Sequence, residues 1–451
     1  MRTHRSVAST SLALCALSLL ACQRSQPLDP ARPVVVARRD AAPAADASSS
    51  NTDASADAAP AARLDPASAT RVAALDDEIR SLERLAAARA DNWIDLETVA
   101  SRYLERVALT ADYEDYRRAE DAIDRAFRKG NGMGPFLLRA QLNYTLHRLD
   151  RVTADVDAVL RGAIVQPTVR AAAEELRANV LFHTGRYDEA RAAYERLVRE
   201  ERSAERLAAL AQYQWKTGDF AGADRLLAEA QRVAQRRSPE VRAWLCLVRG
   251  LLELDRGRWP DALSHYREGL VLRPGYWLLE EHEAEAMTLM GEGARTLPKY
   301  LDLIERTNNP EFMDAAADIL AKRGERDAAA RWVARARAIY DERLRRFPEA
   351  VAGHAVEHFL EHDPQRAVAI AEANVRARPG GEAQVHLARA LFAVGRRDDA
   401  KATIDRALAS RWRTAELYEC ASRIYEALGQ RAVAAAHKQR ALALNPHAFD
   451  E

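Results

Sequence analysis

GRWPDALSHYREGLVLRP, the stretch from Gly257 to Pro274, decides the fold. Its glycine is followed by an aromatic residue two positions on, by an alanine three positions later and by a tyrosine four positions after that. The stretch GRYDEARAAYERL, which starts at Gly185, has the same residue types at the same spacing. A pattern that occurs twice in one chain indicates a repeated structural unit.

The unit recurs about every 34 residues. Equivalent glycines are spaced by 33, 39, 34, 33, 71 and 34 residues, and the gap of 71 holds one more unit whose turn is His362, Asp363 and Pro364. A small residue (Ala, Gly or Ser) stands seven positions before each glycine, and Ala or Thr stands five positions after it. The glycines are Gly185, Gly218, Gly257, Gly291, Gly324, Gly395 and Gly429.

These residue types suit a pair of short antiparallel helices. Two helices approach closely only where small side chains meet, and a glycine between them supplies the left-handed conformation that ends the first helix. Proline after the second helix stops it, as at Pro274, Pro379 and Pro446. Larger residues then fill the space between units: Tyr187, Tyr194, Trp259 and Tyr266.

With this period and pattern, the unit resembles the tetratricopeptide repeat. Good copies run from about residue 170 to Pro446, and weaker ones cover Leu137–Leu160 and Trp93–Phe127. The resemblance implies an all-α fold, a right-handed solenoid of about ten helix-turn-helix units, because one unit cannot bury its faces alone. We assign residues 70–169 to a capping helix and degenerate repeats and residues 170–451 to the regular solenoid. The capping helix has the apolar stripe Leu75, Ile79, Leu82 and Leu85.

The N-terminus predicts export and a lipid anchor. A basic start is followed by an apolar run of about ten residues, too short to span a bilayer, that ends in Leu19, Leu20, Ala21 and Cys22. This resembles the lipobox of bacterial lipoproteins, which implies a signal peptide over 1–21, acyl chains such as palmitate on Cys22, and an outer-membrane protein facing the periplasm. An ordinary secretory signal with a chance cysteine is the alternative. Residues 22–69, rich in Ala, Asp, Ser and Pro, predict a disordered tether.

Composition excludes some classes of function. Lys plus Arg and Asp plus Glu both number 67, so no net charge draws the chain to nucleic acid. Four cysteines, none in a CxxC pair, make a disulfide framework improbable, and we expect Cys246 and Cys420 to be buried and inert.

Three segments were candidates for chemistry. His354, Glu357 and His358 form an H-x-x-E-H pattern, which makes a metal-dependent hydrolase the alternative function, although ordinary packing explains the pattern better. The acidic run 279–293 predicts a solvated helix face, with cation binding as the alternative. The glycine-rich run 129–135 lacks the features of a phosphate loop and predicts a connection between repeats.

The resemblance also implies a concave groove lined by the first helix of each unit. Its lining would be aromatic and amide-rich at first, then acidic, then basic, which suits an extended peptide with a basic segment. The sequence thus predicts no catalytic residue and no cofactor. It predicts an envelope scaffold that binds protein partners. A subunit of an envelope assembly machine for pili, secretion or outer-membrane biogenesis is a further alternative. The groove candidates are Gln141, Tyr144, Asn179, Phe182, His183, Gln212, Trp215, Lys216, Glu281, Glu285, Asp314, Asp318, Arg389, Phe392 and Arg423.

Overall fold

The computed structural model describes residues 64–89 and 92–450. The predicted signal peptide, Cys22 and nearly all of the predicted tether lie outside the described residues. Within the described ranges the regular structure is helical, with 21 α-helices and one short 3-10 helix over Ala234–Arg236. None of these helices is long and apolar enough to cross a lipid bilayer.

The helices follow one another with short connections. They are α1 (Pro66–Ala88), α2 (Ile94–Thr110), α3 (Tyr113–Lys129), α4 (Phe136–Thr145), α5 (Leu149–Leu160), α6 (Pro167–His183), α7 (Tyr187–Glu200), α8 (Ala204–Lys216), α9 (Phe220–Val233), α10 (Pro239–Asp255), α11 (Trp259–Leu272), α12 (Trp277–Leu289), α13 (Gly293–Thr307), α14 (Pro310–Lys322), α15 (Arg326–Arg346), α16 (Pro348–His362), α17 (Pro364–Ala377), α18 (Gly381–Ala393), α19 (Arg397–Ala409), α20 (Ala415–Ala427) and α21 (Arg431–Leu444).

From α2 to α21 the helices form ten sequential antiparallel pairs, each packed on the next. This confirms the predicted all-α solenoid of about ten tetratricopeptide-like units. Helix α1 packs on α2 through a stripe that buries Leu75 and Ile79, as the sequence predicted for the capping helix. The run 129–135 connects α3 to α4, so the prediction of an inter-repeat connection is also confirmed.

The repeat positions have the predicted structural roles. All seven turn glycines have positive φ, between 70° and 93°. The small residues before and after them are buried where the two helices of a pair cross. Gly250 shows why they must be small, because a Cβ atom there would lie 2.1 Å from Cε1 of Tyr266 on the partner helix.

Irregular spacings have local explanations. The interval of 39 residues between Gly218 and Gly257 contains the 3-10 helix, which is inserted between α9 and α10. In the unit without a turn glycine, the side chain of Asp363 accepts a hydrogen bond from the backbone N–H of Arg366 and caps α17. A capping carboxylate thus replaces the glycine corner.

The row of helix pairs curves until it contacts itself. The indole Nε1–H of Trp277 donates to the backbone oxygen of Ala108, 169 residues earlier, and the backbone N–H of Gly381 donates to the Tyr187 hydroxyl, 194 residues earlier. Both separations correspond to about five or six 34-residue units. The solenoid therefore winds as a tight superhelix whose successive turns touch.

The central part of this self-contact joins the third and fourth pairs to the ninth and tenth. Trp412 packs against Phe182 and Tyr187, with ring centroids 5.9 and 6.1 Å apart, and the backbone N–H of Arg413 donates to the backbone oxygen of Lys216 at 2.9 Å. We call the contacts of Phe182, Tyr187 and Lys216 with Gly381, Trp412 and Arg413 the turn interface. Further pairs that bridge the turns are Trp259 with His447, Tyr113 with Phe347, Arg346 with Glu114, and Arg411 with Asp188.

Candidate functional site

The first helices of the pairs face the axis of the superhelix, and we call this surface the inner face. It contains all fifteen groove candidates, and none of them is exposed to solvent. Seven are partly buried: Asn179, His183, Glu285, Asp318, Arg389, Phe392 and Arg423. The other eight are buried: Gln141, Tyr144, Phe182, Gln212, Trp215, Lys216, Glu281 and Asp314. The fifteen side chains are therefore largely covered by other parts of the chain.

In the aromatic and amide-rich stretch, Trp215 and Lys216 share one carboxylate. The Trp215 Nε1–H donates to Oδ2 of Asp255 at 2.7 Å, and Lys216 Nζ lies 2.5 Å from the same oxygen. Burial by itself lowers the pKa of Lys216, but the nearby carboxylates of Asp255 and Glu416 outweigh it, so the pKa is raised and the ammonium stays charged. Glu416 belongs to α20, six units further on, so the electrostatic contact joins successive turns of the superhelix.

His183 is held neutral in the same region. Its Nε2 lies 3.3 Å from the Tyr144 hydroxyl. Burial and the positive charge of Arg378 lower the pKa of His183 to about 4, so the imidazole is uncharged at neutral pH. The neighbouring Asn179 accepts a hydrogen bond from the Tyr194 hydroxyl at 2.8 Å, within its own unit.

The glutamates of the run 279–293 are buried or partly buried, so the predicted solvated helix face is wrong. His282 is fully buried, and its Nδ1 lies 3.1 Å from Glu281 and 3.0 Å from Glu285. Burial lowers the pKa of His282, but the two carboxylates outweigh it and the pKa is raised. The run faces the inside of the superhelix because α12 is a first helix, and sequence alone does not show that this side is covered.

The three residues of the H-x-x-E-H pattern do not converge on one point. His354 pairs with Glu311 at 3.3 Å, Glu357 pairs with Arg389 at 2.9 Å, and His358 Nδ1 lies 2.9 Å from Asp314 Oδ1. Two of these pairings reach successive turns of α14, and the third reaches α18. The geometry therefore offers no shared zinc position for His354, Glu357 and His358, and no base poised beside one.

The basic stretch is likewise engaged within the chain. Arg389 pairs with Glu357 on the preceding unit, and Arg423 pairs with Glu419 on its own helix. Phe392 is half-buried at the end of α18. Charges on the inner face are thus matched within the chain. The partly buried side chains are the part of this face that a partner can reach.

Sequence reasoning missed the turn interface: it did not single out Gly381, Trp412 or Arg413, and it assigned Phe182 and Lys216 to a groove. Residues of this interface border a small cleft, and Gly381 lies so close to Trp412 that a Cβ atom would come 2.2 Å from the indole Cγ. No local pattern marks them, because their partners are about 200 residues away in sequence. The cleft is lined by Phe182, His183, Tyr187, Arg378, Gly380, Gly381, Glu382, Ala383 and Trp412.

The two free cysteines in the described residues have the predicted character. Cys246 and Cys420 are buried, and burial raises the pKa of the Cys246 thiol to about 12 and raises that of Cys420 as well. A thiol that stays protonated at neutral pH is a poor nucleophile. Both residues therefore belong to the core.

Neither a scan against protein-family models nor a search of curated proteins found a match. Among solved structures, the chain is similar to a tetratricopeptide repeat protein from Parabacteroides merdae, with 18% sequence identity and a TM-score of 0.36 over 53% of this chain and 92% of that one. It is similar to the Cut9–Hcn1 hetero-tetramer of APC/C at 15% identity and TM-score 0.43, over 84% and 71% of the two chains. A monomeric IFIT1 mutant with m7Gppp-AAAA gives 13% identity and TM-score 0.38, over 84% and 95%. These values are too low to support any conclusion about function.

Proposed function

We propose that this protein is a non-enzymatic scaffold that binds protein partners through the inner face of its superhelix. The observation that carries the proposal is a continuous row of first helices that presents aromatic, amide and charged side chains along one face. The residues of the one candidate hydrolase pattern pair with three different neighbours, which argues against catalysis there. The envelope assembly machines considered above differ from this proposal only in the identity of the partner.

The binding test uses the reachable part of the inner face. Phe392 and Arg423 are half-buried near its C-terminal end, whereas Val271 is 81% exposed on the second helix α11. The full chain with an affinity tag is incubated with detergent-solubilised envelope, and captured proteins are quantified for three versions: unmodified, Phe392→Ala with Arg423→Ala, and Val271→Ala. We expect the double variant to lose partners that the Val271→Ala control retains. Equal recovery by all three versions would remove the inner face from the function.

The scaffold is further proposed to be anchored by acyl chains on Cys22 at the outer membrane, facing the periplasm. The lipobox-like sequence and the polar segment behind it support this proposal. Several acyl chains give stable anchoring where one does not. Incorporation of labelled palmitate, followed in cells that express the unmodified chain or Cys22→Ala, tests it. Label on the unmodified chain alone is expected; label on the variant would contradict the anchor.

A further inference from the structure

Two histidines and an aspartate meet where consecutive first helices pack together. Asp314 lies on α14, and His358 and His362 lie one turn apart on α16. Each can offer one ligand atom, and these three atoms lie within 4.8 Å of one another. The two imidazole rings are 4.9 Å apart between centroids. Three ligand atoms this close together can bind a single metal ion.

His358 is the buried histidine of this cluster, and packing does not satisfy its whole ring. Its side chain is fully buried, with Nδ1 2.9 Å from Asp314 Oδ1. Its Nε2 is also buried and makes no hydrogen bond. A buried polar atom without a partner is unfavourable, since burial removes its hydrogen bonds to water. The 2.9 Å between His358 Nδ1 and Asp314 Oδ1 is close to the separation of two ligand atoms on one Zn²⁺ ion, whose bonds to nitrogen and oxygen are about 2.0–2.2 Å long.

We propose that Asp314, His358 and His362 form a binding site for a divalent transition-metal ion, with Zn²⁺ the best fit. Two imidazoles and one carboxylate match the ligand preference of Zn²⁺, whereas Ca²⁺ and Mg²⁺ prefer oxygen ligands throughout. His362 is exposed, so an ion can enter from solvent and keep a water molecule as a further ligand. The role is structural, because the ion would tie the first helices of the seventh and eighth units together.

A second cluster, Glu281, His282 and Glu285, meets the same distance criterion but is a weaker candidate. His282 also has a buried Nε2 without a hydrogen bond. However, all three residues lie within about one turn of α12, so the helix alone brings them together without an ion. The Asp314 cluster joins two helices instead. The two clusters can therefore be separated by substitution.

The test measures metal uptake by the full chain, purified through a tag without histidine and stripped with a chelator. Co²⁺ is titrated first, because its visible absorption reports tetrahedral coordination, and Zn²⁺ is then added to displace it. We expect one equivalent of Co²⁺, displacement by Zn²⁺, and a higher unfolding temperature with Zn²⁺ bound. His362→Ala removes an exposed ligand and is expected to weaken binding at least about tenfold with the fold intact by circular dichroism.

Two control variants make the assignment falsifiable. His354→Ala removes a histidine from the same helix face one turn before His358, and Glu285→Gln alters the other cluster; both are expected to bind Co²⁺ like the unmodified chain. Substoichiometric uptake by the unmodified chain overturns the proposal. So does binding that survives His362→Ala, or binding that is lost in Glu285→Gln, which would place the ion on α12.

Discussion

The Tyr187 hydroxyl accepts a hydrogen bond from the backbone N–H of Gly381 at 2.7 Å, although 194 residues separate them. Tyr187 begins α7 of the third helix pair and Gly381 begins α18 of the ninth. Both groups are buried. This bond therefore joins two turns of the superhelix. Removing the single hydroxyl oxygen tests whether it helps to hold the turns together.

Tyr187→Phe should loosen the turn interface without disturbing the pairs. It leaves the Gly381 N–H buried and unpaired, which costs about 1–3 kcal/mol of stability. Hydrogen exchange should become faster at Gly381. Tyr194→Phe is the matched control, because it removes the hydroxyl that donates to Asn179 within one unit. If exchange at Gly381 responds equally to both substitutions, the bond does not hold the turns together.

Gly381→Ala should push successive turns of the superhelix apart, because its new methyl group clashes with Trp412. The added Cβ atom would lie 2.2 Å from Cγ of Trp412, so the indole must move, at a cost of about 1–3 kcal/mol. Small-angle X-ray scattering should show a larger radius of gyration. Gly429→Ala is the control: its φ of 77° strains an alanine, but no atom lies within 4 Å of the new Cβ. An unchanged radius in Gly381→Ala would mean that Trp412 is not needed for closure.

Lys216→Met should be strongly destabilising. It leaves the carboxylate of Asp255 buried with only the Trp215 N–H as its remaining partner, and breaking a buried pair in this way costs about 3–5 kcal/mol. Arg186→Ala, which removes an exposed pair with Glu189, should cost far less, because solvent screens that pair. Denaturant unfolding of both variants measures the difference. Similar values for the two would show that the Lys216 pair is effectively solvated.

Acidification should destabilise the fold through His183. Burial and the charge of Arg378 lower its pKa to about 4, whereas an unfolded histidine titrates near 6.5. The unfolded chain therefore binds the proton more readily, so the stabilisation is complete above pH 6.5 and falls as the pH drops toward 4. The loss at pH 5 is about 2 kcal/mol.

The variant His183→Asn checks this assignment. It should flatten the dependence of unfolding free energy on pH between 6.5 and 4, whereas His362→Asn, which removes an exposed histidine, should not. Part of the slope should remain, because burial also lowers the pKa of His147 and His386. A slope unaffected by His183→Asn would show that the imidazole is already solvated in the native state.

The sequence by itself determined the helix pairs. A glycine such as Gly185 ends a helix whatever surrounds it, and small residues such as Ala178 and Ala190 set how closely two neighbouring helices cross. These effects act over about one 34-residue unit, so they can be recognised as a repeated pattern. The same locality explains why α1 and the weaker units could be predicted from their apolar stripes.

Only the tertiary structure decided that successive turns of the superhelix contact each other. The tilt between neighbouring units is small, and its sum over about six units brings Tyr187 to Gly381 and Trp259 to His447. The sequence of one unit does not reveal this total rotation. Contacts between neighbouring units were also not predicted. Sequence analysis placed the acidic run of α12 in solvent, and it linked His358 to His354 on its own helix and not to Asp314 on the neighbouring one. Local sequence determines which side of a helix is polar. How the units pack on one another determines whether that side is exposed to water or buried against another unit.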